Sequence, residues 1–359
     1  MNDQEIEEEE KPEELIFAEH LIAENKYKEA LQILIELEKK KNLPLTHKVS
    51  CLVLQGRILM WQGKHEDGIK IIEKAYKESL GLGKDLQTLD PLNIMALAHK
   101  WQGRFDKARE LIIKSDKLFQ TFTKESSAEY IFHEAHLNFI KGYLTSQDDA
   151  DRGRKYLEYS LSLWNKIEPR LEKAMTIMCI GLVLYSSKGE LDQSINYLKQ
   201  ALAIAKEINH KWGIALIHLN LGSSYRLKGE TNISLKHYEN SLNLCKEINN
   251  RHFVALLYNL IGELLSEKGE VEQALKNLEK SVAISKEIRS PFSLGTSLTT
   301  AIHISLENGD MDKAYKYFDD CKKLPEQFKG PMFELWLILS EAMLLKKSQR
   351  IRDKAKAEE

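Results

Sequence analysis

Cysteine and proline are both scarce in this chain, with four and seven copies among 359 residues. The cysteines, Cys51, Cys179, Cys245 and Cys321, lie far apart and form no CxxC pair. Buried reduced thiols are expected, rather than a disulfide framework or a zinc knuckle. Long apolar runs are missing too, since no stretch approaches the roughly 18 uninterrupted apolar residues of a membrane span. Neither sign of charge dominates: the formal net charge is -2, which provides no basic field to gather nucleic acid. No phosphate loop of the form GxxxxGK[ST], no GxGxxG and no GxSxG occurs. No run of alternating β-branched residues predicts a strand. The first residues, MNDQEIEEEEKPEE, are acidic where a secretory leader would be basic and then apolar. The expected compartment is therefore cytoplasmic.

What is present is periodicity. Some 43% of residues are apolar and 30% charged, enough to fold and stay dissolved. KGELDQSINYLKQAL begins at Lys188, KGETNISLKHYENSL at Lys228, KGEVEQALKNLEKSV at Lys268 and NGDMDKAYKYFDDCK at Asn308. Gly189, Gly229, Gly269 and Gly309 thus recur every 40 residues, and a second marker, KEI at Lys206, Lys246 and Lys286, keeps the same step. Two markers with one period identify a repeat array. Earlier and more diverged copies place Gly63, Gly103 and Asn25 in the glycine slot, with Asp148 there in a longer, irregular unit. Eight two-helix units result, followed by PMFELWLILSEAMLLKKSQR as one unpaired closing helix.

Each unit reads as two helices because apolar residues step by three and four, as in Leu191, Ile195, Leu198, Leu202 and Ala205. Proline agrees with this. Pro44, Pro91, Pro169, Pro291 and Pro331 fall at the start of first helices, where the missing N–H is harmless, and none falls inside a helix. The expected organisation is an acidic disordered tail over 1–14, the array over 15–330, a capping helix over 331–348 and a charged, frayed tail over 349–359.

This pattern resembles the tetratricopeptide repeat (TPR), in the long form near 40 residues seen in kinesin-light-chain-like and transcription-regulator-like arrays. Small residues stand where the family's helices touch. Gly56, Ala96, Gly222 and Gly262 match the first-helix position; Ala30, Gly68, Ala108, Gly153, Ser194, Ser234, Ala274 and Ala314 match the second. The resemblance implies an all-α, right-handed superhelical solenoid of about eight hairpins with first helices lining a concave groove. It implies a non-enzymatic scaffold or adaptor that binds a protein or peptide there. Two alternatives are a ligand-responsive regulatory module acting on a separate effector, and a nucleic-acid adaptor using the basic C-terminal tail.

By the family's geometry the groove positions lie three before and one, four and five after the first-helix small residue. The candidates are Arg57, Trp61, Asn93, Lys100, Trp101, Arg226, Asn259, Glu263 and His303. Cations among them favour a partner segment that is acidic or ends in a free carboxylate. Packing against the next hairpin is the competing reading for Trp61 and Trp101, and plain solvent exposure for the polar residues. The family's lysine–asparagine peptide clamp is not reproduced. His133-Glu134-Ala135-His136 is the one histidine cluster, but its spacing is not HExxH and no third ligand is apparent, so solvated or groove-lining histidines are expected. No metal and no cofactor are expected.

Overall fold

The structure is a computed structural model and describes residues 10–83, 85–167, 170–188, 190–325 and 331–358. Among these residues there are seventeen α-helices and no strand. First helices are α1 (Glu13–Ala23), α3 (Leu45–Trp61), α5 (Leu89–Trp101), α7 (Ala128–Thr145), α9 (Arg170–Lys188), α11 (Lys211–Leu227), α13 (Arg251–Glu267) and α15 (Pro291–Glu307). Their partners are α2 (Tyr27–Glu38), α4 (His65–Ser79), α6 (Phe105–Phe119), α8 (Ala150–Ile167), α10 (Leu191–Glu207), α12 (Thr231–Glu247), α14 (Val271–Glu287) and α16 (Met311–Lys322). The eight hairpins and the closing helix, α17 (Pro331–Glu358), are therefore present. The chain divides into two compact units, 1–220 and 221–359.

Both sequence markers are helix stops. At the end of α3, Gly63 takes φ 77° while the Lys64 N–H bonds to the Leu59 carbonyl at 2.8 Å and the Gly63 N–H to that of Met60 at 2.9 Å. This is a Schellman turn, which needs the left-handed residue that glycine supplies most easily. The KEI marker ends second helices by the same geometry with a side chain in place. Asn209, Asn249 and Arg289 have φ of 50°, 58° and 52°. The next N–H closes back on Ala205, Cys245 and Ser285 respectively.

The small residues lie where backbones approach. A Cβ on Gly56 would sit 2.3 Å from the Ile72 side chain, and one on Gly222 would sit 2.5 Å from the Tyr238 ring. Two serines in these seats reach a carbonyl of the facing helix with their hydroxyls. The Ser234 hydroxyl donates to Gly222 at 2.7 Å and that of Ser281 to Ala255 at 2.7 Å, so the buried polar atom is satisfied. All four cysteines are buried free thiols.

Helices α1 and α17 stand at the two ends of the array. Helix α1 starts at Glu13 rather than beyond residue 14, with Pro12 at its N-cap. Residues 1–9 of the acidic tail lie outside the described residues. Helix α17 runs from Pro331 to Glu358, across the 331–348 cap and most of the 349–359 segment. Alanine, lysine, arginine and glutamate in that stretch are strong helix formers, and no glycine or proline interrupts them. Phe333 and Leu344 on α17 are buried. Its Trp336 fills the space over Gly295 of α15. No helix among the described residues is long and apolar enough to cross a membrane.

Candidate binding cavity

Five successive first helices of the 1–220 unit face a common cavity of about 110 Å³. That is near the size of an engineered protein cavity of about 150 Å³ that takes up benzene. Helix α3 contributes Arg57, Met60 and Trp61, which stand one, four and five residues beyond Gly56. Helix α5 contributes Ile94, Leu97 and Trp101, and α7 adds His136, Phe139 and Tyr143. Helix α9 presents Leu171, Glu172, Met175, Met178 and Cys179, and His210, Trp212 and Leu216 complete the wall.

Arg57, Trp61 and Trp101 are thus brought together. Trp61 meets the Tyr27 ring at 5.7 Å and the edge of His210 at 5.0 Å, so part of its surface does pack on neighbouring hairpins. Trp101 remains 36% exposed, with its ring 5.8 Å from His65. The Arg57 guanidinium stands 3.7 Å from the Glu172 carboxylate, too far for a good hydrogen bond but close enough for attraction.

Asn93 and Lys100 take a different place from the one expected. Asn93 is fully buried and accepts the Ser115 hydroxyl at 2.7 Å, which ties α5 to α6. Lys100 is 7% exposed, with its ammonium 3.9 Å from the centre of the Tyr143 ring. Burial pulls its pKa down to about 8. Both side chains turn into helix packing, so neither forms part of the cavity wall.

The histidine cluster is not solvated. His133 and His136 are both buried, with Nδ1 atoms 3.5 and 3.9 Å from the Asp90 carboxylate of α5. Burial, then the nearby Arg57 and His133, hold the His136 pKa well below the ordinary histidine value. Among the described residues no three histidine, cysteine or acidic side chains gather as a metal site.

Phe139 and Tyr143 escaped the sequence reading because the unit is irregular. The small pair here is Gly142 with Gly153, one residue closer in sequence than Gly56 with Gly68. Phe139 and Tyr143 then stand three before and one after Gly142. Gly142, the lone glycine of α7, was the available signal. Asn138, which the unshifted register points to, donates instead to its own helix at Glu134.

A long-range contact completes the unit. Asn25, at the α1–α2 turn, donates to the Asn209 carbonyl at 2.8 Å and accepts the Lys211 N–H at 3.0 Å. The first hairpin is therefore fastened to the turn that ends α10. His210 lies within that turn and caps α11 by accepting the Gly213 N–H on Nδ1 at 3.0 Å. Burial, then Arg57, push its pKa down to about 4, so the ring is neutral near pH 7.

In the 221–359 unit the remaining candidates pair with glutamates of that unit. Arg226 donates to Glu263 at 2.7 Å and to Glu267 at 2.9 Å, and the Asn259 amide donates to Glu263 at 2.7 Å. His303 pairs with Glu307 at 3.2 Å. Arg226 is therefore engaged within its own unit. Of the six basic residues on which the nucleic-acid reading rests, the side chains of Arg350, Arg352, Lys354 and Lys356 lie outside those described, while Lys346 and Lys347 stand on α17.

Comparison with known proteins follows the same lines. Residues 144–359, more than half of the chain, match the family model described as the MalT-like TPR region. The chain belongs to the MalT-like TPR family. Among solved structures, a Rap protein complexed with Competence and Sporulation Factor shares 13% identity and a TM-score of 0.61, over 95% of this chain and 98% of that one. A signal transduction ATPase with numerous domains and a tetratricopeptide repeat sensor, from Pyrococcus horikoshii, shares 12% identity and a TM-score of 0.60. It is covered over 94% of this chain and 54% of its own. At such identities the likeness shows the fold alone. A histidine ammonia-lyase of Geobacillus thermodenitrificans is 25% identical over 169 residues, 45% of this chain. The chain spans 31% of the length of that curated relative, and a match so partial assigns no lyase chemistry to it. This MalT-like TPR chain is a helical repeat array.

Proposed function

We propose that this MalT-like TPR chain binds a segment of another protein or a peptide, and that the cavity of the 1–220 unit is where the segment is anchored. One observation carries the reading: rings and methionine side chains from successive first helices surround a space that could seat one side chain, with Arg57 at its wall. Aromatic and methionine walls with few, placed polar groups are the usual make-up of such an anchor pocket. Arg57 favours a segment that is acidic or ends in a free carboxylate. Lys100 and Arg226 add little to that preference, since one is buried and the other holds two glutamates. The solved Rap complex, of similar fold and nearly full overlap, makes a bound factor a reasonable expectation here.

A regulatory reading is favoured by the Asn25 fastening. A ligand that fits only the fastened form would stabilise it, and a separate effector could sense that state.

The test is panning of a peptide library against the parent chain and against Leu97→Trp, in which the indole fills the cavity. Recovery of peptides by the parent that the variant loses, with unchanged circular dichroism, supports the anchor. Equal recovery by both proteins places the site elsewhere.

A further inference from the structure

Hydrogen-bond capacity in the cavity is lopsided. The His210 Nδ1 atom accepts the Gly213 N–H at 3.0 Å, so in the neutral ring the proton sits on Nε2. That Nε2 is buried and has no hydrogen-bond partner among the described residues, although the ring, 7% exposed, lines the cavity. A buried donor left unmet is expensive and marks a place where an acceptor belongs. The wall also carries the Arg57 guanidinium, whose nearest carboxylate, on Glu172, is 3.7 Å away and makes no hydrogen bond with it. The wall thus holds one guanidinium and one imidazole with an unmet N–H, among other ring N–H and O–H groups, against a single carboxylate. The remaining wall, including Leu97, Phe139, Met175 and Met178, offers contact surface and no charge.

We infer that the cavity is a binding site for an apolar carboxylate, a carboxylate joined to one ring-sized hydrophobic group, with Arg57 and His210 receiving the carboxylate oxygens. This rests on the cavity being the anchor site and adds what enters it. Size agrees, since about 110 Å³ holds one ring and not two. Charge agrees, since an ammonium would meet Arg57 at close range while a carboxylate exchanges a loose internal pair for charge-assisted hydrogen bonds. Glu172 is then a competitor for Arg57 and weakens ligand binding. Asn25 is a positioning residue, because its two hydrogen bonds to Asn209 and Lys211 hold the turn that carries His210. The same chemistry is offered by a free aromatic acid and by the C-terminal residue of a peptide.

The test is calorimetric titration of the full chain with 3-phenylpropionate, with 3-phenylpropanamide, and with N-acetyl-glycyl-phenylalanine as acid and as amide. Each acid is expected to bind at least tenfold tighter than its amide. The stronger of the two acids identifies the source. Glu172→Gln should tighten acid binding several-fold without helping the amides, a change no purely structural role would produce. His210→Asn keeps an acceptor for the Gly213 N–H but removes the Nε2 donor, and should narrow the acid–amide difference. Acids and amides binding alike, or neither saturating at millimolar concentration, overturns the inference, as does acid binding unchanged or weakened by Glu172→Gln. If that happens while Leu97→Trp still loses library peptides, the anchor stands and the carboxylate specificity falls.

Discussion

Gly142→Ala should destabilise the protein, although the same change in an ordinary helix interior stabilises by about 1 kcal/mol. A Cβ at Gly142 would lie 2.8 Å from the Gly153 carbonyl oxygen, 2.9 Å from the Leu157 backbone nitrogen and 2.7 Å from the Leu157 side chain. Two of these atoms are backbone, so relief requires α7 and α8 to separate. Overpacking of that kind costs about 1–3 kcal/mol. Against the gain in helix propensity, the net loss is up to about 2 kcal/mol. Gly181→Ala is the matched control. There the nearest atom is the Ser194 carbonyl oxygen at 3.1 Å, followed by side-chain atoms of Tyr197 and Leu198 at 3.3 and 3.4 Å. A shift of a few tenths of an ångström relieves that contact, leaving Gly181→Ala within about 0.5 kcal/mol of the parent. Urea midpoints followed by circular dichroism at 222 nm provide the comparison. Midpoints are preferred to extrapolated free energies because repeat arrays depart from two-state unfolding. If Gly142→Ala melts at or above the midpoint of Gly181→Ala, the small pair of the irregular unit has been misplaced. The register count from Gly142 that explains why Phe139 and Tyr143 face the cavity would then fail.

Three further outcomes follow from other parts of the fold. Arg289→Gly should raise stability by about 0.5–1 kcal/mol, because φ 52° is strained for arginine and free for glycine, and its urea midpoint measures this. Phe333→Ala should cost about 3 kcal/mol and leave an apolar face of the eighth hairpin less covered, read as a lower midpoint and as self-association in sedimentation. His210 should make stability fall as pH drops. Its folded pKa of about 4 lies below the unfolded value of about 6.5, so the unfolded chain binds the extra proton between them. Stability from this group is complete above about pH 6.5 and is lost toward pH 4, up to about 3 kcal/mol. His210→Asn should flatten that portion of the pH profile, as urea midpoints at pH 7 and pH 4.5 would show.

Most of the fold was legible because its constraints are local and repeated. A left-handed residue ends α1, α3, α5, α11, α13 and α15, and small residues stand where their helices cross, so both markers return at the 40-residue step. The candidate site was only partly legible. Arg57, Trp61 and Trp101 follow from the register counted from Gly56 and Ala96. Asn93 and Lys100 obey the same count, yet both are buried, and a position count cannot tell a side chain that lines a cavity from one that packs beside it. The register itself slips by one residue at Gly142, which hid Phe139 and Tyr143. The Asn25 contact with Asn209 and Lys211 was illegible. It joins turns 184 and 186 residues apart, and nothing in the asparagine's local sequence differs from an ordinary helix stop. His210 looked like a residue after KEIN, and its role as a cap with a spare donor appears only once Gly213 is in place.

The most direct measurement is site-specific photocrosslinking of a captured peptide. Benzoylphenylalanine replaces Trp101 at the half-open edge of the cavity in one variant. In a second it replaces Ile113, an exposed residue of the second helix α6. Both proteins are irradiated with a peptide recovered from the library. If the cavity of the 1–220 unit anchors the partner, the peptide is covalently captured through position 101 and not through position 113. Capture through position 113 with none through position 101 would contradict the account.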